Sequence, residues 1–65
     1  MTITNSWPQV DGGTRYLIKG RIHSVTVDED DSGRLTGFVR NLLTTDKRYA
    51  RVLRAGFAAV RDAAT

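Results

Sequence analysis

Three groups of residues in this 65-residue chain have types and spacings that chemistry can use. The first is His23-Ser24, which sets the chain's one histidine beside a hydroxyl. A nucleophilic dyad needs the imidazole within hydrogen-bond reach of the hydroxyl. Neighbours on a strand point to opposite faces, so this pair is not a dyad and His23 is expected as a pairing residue at a sheet edge. Cysteine is absent, which removes thiolate nucleophiles, thiolate metal ligands and disulfides together. The expectation is a non-enzymatic protein without a cofactor.

The second group is acidic. Asp28-x-Asp30-x-Ser32-Gly33 matches the first half of a calcium loop, with oxygen ligands at loop positions 1, 3 and 5, glycine at 6 and Leu35 at the apolar position 8. Position 12, which needs a bidentate glutamate, is Val39, and the flanks read as strands rather than helices. The segment is therefore expected to be a polar turn with no metal. Asp28, Glu29, Asp30 and Asp31 remain, with Trp7, secondary candidates for meeting a partner.

The third group is basic: Lys47, Arg48, Arg51, Arg54 and Arg61. At 100° per residue Lys47, Arg51, Arg54 and Arg61 share one side of a helix, with Arg48 at the margin. Such a ribbon suits phosphates or carboxylates, which arginine holds in a planar fork. Readers of nucleic acid usually add aromatic residues for stacking. The helix's own aromatics, Tyr49 and Phe57, fall on its apolar side instead. These five cations are the principal partner-binding candidates.

Charge is segregated along the chain. Through Gly33 the acids outnumber the bases, whereas the remainder carries seven Lys and Arg against Asp46 and Asp62; the net charge of the whole chain is +3. A basic half attracts nucleic acid, an anionic surface or an acidic protein.

The elements that must position these groups follow from periodicity. One domain, 1–65, is expected, with 1–6 loose, antiparallel strands within 14–40 and a helix over 45–64. Trp7 to Val10 would be a short edge strand, because Pro8 cannot donate to a ladder. Asp11-Gly12-Gly13 is a turn. Tyr16, Ile18, Gly20 and Ile22 alternate on one phase, and Val25 and Val27 on the other, so the region 14–27 needs a bulge or bend near His23-Ser24 or a kink at Gly20. A turn over 28–33 leads to a strand over 34–40, and placing Val27 opposite Leu35 aligns the apolar phases. Thr44 or Thr45 would cap the helix, with Asp46 favouring its positive end. Tyr49, Val52, Leu53, Gly56, Phe57, Val60, Ala63 and Ala64 then form one apolar side, and Val52, Leu53, Phe57 and Val60 would seal the sheet. The strip Gly56, Ala59, Ala63 would permit close approach to the sheet or to another helix. The fold class is α+β: a small antiparallel meander of about three strands packed on one C-terminal amphipathic helix.

Size narrows function further. Hydrophobic residues are 40% of the chain, alanine included, and a chain this short buries only about 60% of its unfolded surface. A core and an enclosed ligand cavity do not both fit. The apolar stretch Ala55 to Val60 is far from the roughly 20 residues of a membrane span, and the first residues lack the pattern of a secretory signal. A cytoplasmic location is expected. The run "SVTVDEDDSGRLTGFV" followed by "RYARVLRAGFAAVRDA" resembles the first part of HicB-type antitoxin domains over about half the chain, without a diagnostic residue and with an extra strand at the front. The family is not assigned from it. The class it implies is that of short inhibitors of phages and mobile elements, antitoxin-like or anti-CRISPR-like. The expected function is docking on a larger protein or ribonucleoprotein, the basic helix face meeting an acidic surface of the partner, with no membrane partner. The alternative is a small regulatory protein that binds nucleic acid through the basic helix face. A homodimer would help so small a core.

Overall fold

The computed structural model describes residues 1–40, 42 and 47–64. Four strands, β1 (Thr2–Pro8), β2 (Thr14–Lys19), β3 (Ser24–Glu29) and β4 (Leu35–Arg40), precede one helix, α1 (Lys47–Ala64). The strands form a single antiparallel sheet in chain order, β1-β2-β3-β4, and α1 lies across one side of it. The α+β meander is as the periodicity predicts, with one strand more.

The extra strand arises because 14–27, expected as one bent strand, folds as two, and the edge strand expected over Trp7 to Val10 runs instead over Thr2–Pro8, through the segment expected to be loose. Thr2–Pro8 pairs along β2 from Thr2 opposite Lys19 to Pro8 opposite Thr14. Its polar residues masked it, because an edge strand with one side in water buries little: only Ile3 is partly covered. Pro8 sits at the last position of an edge strand, where its missing N–H costs no ladder bond.

The phase change in 14–27 is a hairpin rather than a bend. The Gly20 N–H donates to the His23 carbonyl at 2.8 Å, leaving Arg21 and Ile22 at an exposed two-residue tip. Lys19 then pairs with Ser24 and Tyr16 with Val27. His23 therefore lies in a tight turn and not in an edge ladder. The register of the next hairpin also differs by two: Val27 faces Gly37 and Val25 faces Val39, while Leu35 faces Glu29. The turn is shorter than composition suggests, since Asp28 and Glu29 complete β3 and the loop closes between the Asp30 N–H and the Arg34 carbonyl at 3.0 Å. A slip of two preserves the faces, which is why apolar phasing alone did not exclude the wrong partner.

The one irregularity of register lies in β1. Ile3 pairs with Ile18 but Asn5 with Leu17, so Thr4 is an inserted residue. Its hydroxyl donates to the Leu17 carbonyl at 3.3 Å. Without this bulge Ile3 and Trp7, four apart, would share a face. With it, Ile3 joins Ile18, Val25 and Val39 beneath α1, and Trp7 turns to the uncovered side with Arg15.

The core is small: Ile18, Val25, Val27, Val39 and Val60 are buried. Ile3, Tyr16, Leu35, Leu42, Tyr49, Val52, Leu53, Phe57 and Ala59 pack around them, partly covered. Of the four helix residues expected to seal the sheet, only Val60 is fully buried; Val52, Leu53 and Phe57 form the margin. The helix comes close to the sheet at Gly56, where a Cβ would stand 2.8 Å from Val25 Cγ1. This settles the small-residue strip in favour of the protein's own sheet, with Ala59 following Gly56 and Ala63 exposed. The Tyr49 hydroxyl accepts the Val39 N–H at 3.3 Å and ties α1 to the last strand. The expected caps Thr44 and Thr45, and Asp46, lie outside the described residues.

Candidate binding surfaces

The fold sorts the chemistry-bearing residues onto three surfaces. On α1, an 18-residue helix, Lys47, Arg48, Arg51, Arg54 and Arg61 are all exposed. The alternative orientation would bury guanidinium groups against valines, so the apolar side dictates where the cations point. Arg54 Nε donates to the Ala50 carbonyl at 3.4 Å, which lays that side chain along the helix. Arg61 stands in the last turn, where the helix dipole favours a cation.

The second surface is the end of the sheet formed by the β1–β2 and β3–β4 turns. Gln9, Asp11, Arg15, Asp28, Glu29, Asp30, Arg34 and Thr36 surround an open depression of about 240 Å³. Its floor is a bidentate pair, with Arg15 Nε 2.7 Å from Asp28 Oδ1 and Nη2 3.0 Å from Oδ2. Cross-strand pairing of Arg15 with Asp28 presents both side chains on the same face. Asp28 also accepts from Gln9 Nε2 at 3.5 Å. The Arg15 hydrogen bond, with its charge, holds the Asp28 carboxyl below the usual carboxylate range against the opposing effect of burial. The same bond raises Arg15.

A depressed carboxyl contributes stability that is present above its unfolded value and lost as pH falls through the folded one. Both side chains are more than a third exposed, so screening by solvent keeps the pair's contribution small. Asp28→Asn is expected to lower the melting temperature slightly at neutral pH, and the difference from wild type should vanish in acid, below the folded value of Asp28. An undiminished difference there would remove the ion pair as its cause.

Asp30 serves its own turn. Its Oδ1 accepts from the Ser32 N–H at 2.9 Å, the Ser32 hydroxyl at 2.7 Å and the Arg34 N–H at 2.9 Å, while Gly33 takes the positive φ of 89° that closes the loop. The Ser32 hydroxyl first, and the Arg34 N–H next, hold this carboxyl low. An oxygen already accepting three hydrogen bonds is poorly placed to ligate a cation. Among the described residues no group of three or more His, Cys, Asp and Glu is arranged to hold a metal. Millimolar calcium should leave the melting temperature unchanged, and Asp30→Ala should lower it with or without calcium. A calcium-induced rise that Asp30→Ala abolishes would make the turn a metal site.

The third surface is the side of the sheet that α1 leaves uncovered, and composition did not reveal it. Its rows are Thr2, Lys19, Ser24, Arg40; Asn5, Leu17, Thr26, Phe38; and Trp7, Arg15, Asp28, Thr36. Trp7 is 43% exposed and Phe38 46%, and the Arg40 guanidinium lies 5.9 Å from the Phe38 ring centre. Trp7 shares a row with Asp28, two strands away across Arg15, while Asp30 lies in the adjoining β3–β4 turn. The alternation that places Leu35, Gly37 and Val39 inside already puts Phe38 and Arg40 outside. The signal was legible in β4 and went unused.

His23 and Ser24 do not form a dyad. Ser24 lies in β3, paired with Lys19 and Arg40 on the neighbouring strands, while His23 Nδ1 is buried without a hydrogen-bond partner among the described residues. No helix among the described residues is long and apolar enough to cross a membrane. Comparison with protein-family models, with curated proteins and with solved structures found no match to this chain. What stands is the class that the fold defines: a four-stranded antiparallel meander closed on one side by a single helix.

Proposed function

We propose that this protein is a non-enzymatic docking module that binds an acidic protein surface, free or within a ribonucleoprotein, through the basic side of α1. The observation that carries the reading is the joint exposure of Lys47, Arg51, Arg54 and Arg61 on a helix whose opposite side is committed to the sheet. A ribbon of guanidinium groups on a rigid element meets carboxylates with directional, charge-assisted hydrogen bonds and speeds encounter with an acidic partner. A cytoplasmic inhibitor of the kind that phages and mobile elements use fits these properties: it works by occupying a surface and needs no catalytic group.

The test is Arg51→Glu with Arg54→Glu. Both positions are exposed, so the melting temperature should hold within a few degrees. Affinity purification of the wild type should recover a protein partner that resists nuclease treatment, and the double variant should lose it. The wild type should bind duplex DNA negligibly at physiological salt. Nuclease-sensitive material that the double variant loses, with a salt slope of about −0.9 per phosphate contact on duplex DNA, would instead make the helix a nucleic-acid reader. Full retention of the partner by the double variant would reduce these arginines to a solvated face.

A further inference from the structure

The uncovered side of the sheet carries an inference independent of the helix. Trp7 and Phe38 are the two aromatics left in solvent, and both stand on this side. From strand spacing they are about 16 Å apart, at about 4.8 Å between strands and 3.4 Å along them. That is too far to clamp one ring between them, so each is a platform of its own. Leu17 and Thr26 lie between them, and Thr26 is nearly buried, which makes the middle of the face a closed floor.

Cations frame this floor. Lys19 and Arg40 occupy the row beyond Phe38, and Arg21 stands at the exposed hairpin tip next to it. The one carboxylate within the three rows, that of Asp28, is neutralised by Arg15. The face is therefore aromatic and hydroxyl-bearing, positive at its Phe38 end, while its Trp7 row borders the depression lined by Asp11 and Asp30.

The geometry points to single-stranded nucleic acid as the occupant, with bases stacked on Phe38 and Trp7 and phosphates met by Arg40, Lys19 and Arg21. Stacking on an exposed aromatic is tolerant of base identity because every base has a π-face. Phosphates suit the positive end, where Arg40 already lies beside the Phe38 ring. A second copy of the chain is the poorer fit. A stable interface takes about 800 Å² from each partner, and three separated apolar side chains with two cations do not supply a continuous apolar patch of that size. A duplex fits worse, because its bases offer no free faces.

The chain's one tryptophan makes the test direct. Titrating the full-length protein with oligo(dT) and with oligo(U) should quench Trp7 emission saturably, whereas duplex DNA of equal length should not. The stronger of the two single strands identifies the sugar preferred. Phe38→Ala, checked for native circular dichroism, should weaken binding roughly 5- to 150-fold, and Phe38→Tyr should restore it. Arg40→Glu should weaken it and flatten the salt dependence. The variant Arg51→Glu with Arg54→Glu should reach the same quenching at saturation, so failure of the helix reading and failure of this one are distinguishable. Unquenched Trp7 at saturating oligonucleotide, or a folded Phe38→Ala that binds as the wild type does, would overturn the inference. So would a concentration-dependent dimer that Phe38→Ala dissolves.

Discussion

Gly56→Leu should leave the chain without a cooperative unfolding transition. Glycine in a helix interior costs about 1 kcal/mol relative to alanine, a large sum for a chain whose core supplies no more than about 3–5 kcal/mol. The position is held by contact: an added Cβ would lie 2.8 Å from Val25 Cγ1 and 3.1 Å from Val25 Cβ. Val25 is fully buried at the centre of the sheet, flanked by Ile18 and Val39, and has nowhere to move. Overpacking a tight site costs about 1–3 kcal/mol for small additions. Alanine should therefore lower the melting temperature despite its better helix propensity, and leucine should exceed the whole reserve. Circular dichroism melts decide it, and a thermodynamic cycle names the cause. In the Gly56→Ala background, Val25→Ala should cost less than it does alone. A leucine variant that melts like wild type would mean that α1 does not rest on Val25.

Ile18→Ala should be nearly as damaging. Ile18 is fully buried on β2, between Ile3 and Val25 in one row and in the same cluster as Val60. Removing three carbons from a site that cannot collapse costs about 2–5 kcal/mol. Phe57→Ala is the informative comparison. Sequence periodicity alone ranks Phe57 as the key core residue, at about 3–5 kcal/mol. In the structure its ring lies at the margin beside Gly37, partly in water, so its truncation should cost less than that of Ile18. Urea titrations of the two variants give the order directly, and the reverse order would move the centre of the core toward the C-terminal half of the helix.

These two comparisons show where sequence was a good guide and where it was not. The helix was legible because its apolar side repeats over five turns, and the β3–β4 hairpin because both strands alternate. The part of β1 before Trp7 was not legible because alternation fails there twice over. Most of its side chains face water, and the bulge at Thr4 shifts the phase between Ile3 and Trp7. The tight turn at Gly20–His23 was read as a bend because Arg21-Ile22 lacks the usual turn residues. The basic side of α1 was readable from spacing, since a cation's exposure follows from the apolar positions opposite it. The aromatic face was not assembled, because Trp7 and Phe38 come from the two outermost strands and meet only once the order of all four is known.

The chain-order arrangement of the strands also governs how the molecule maintains itself. Among the described residues no strand pairing joins positions more than 17 apart, the separation of Thr2 and Lys19. Closing such short loops costs little entropy, and sheets assembled from neighbouring hairpins fold faster than those that pair distant segments. The five buried hydrophobic side chains among the described residues hold only a shallow energy well. A protein of this kind opens often and recloses quickly, and when reclosing outruns cleavage its loss to proteases follows the fraction open rather than the frequency of opening. Its lifetime is then set by how rarely it is caught open, so that a partner which binds only the closed form would lengthen that lifetime without forming any covalent bond to it.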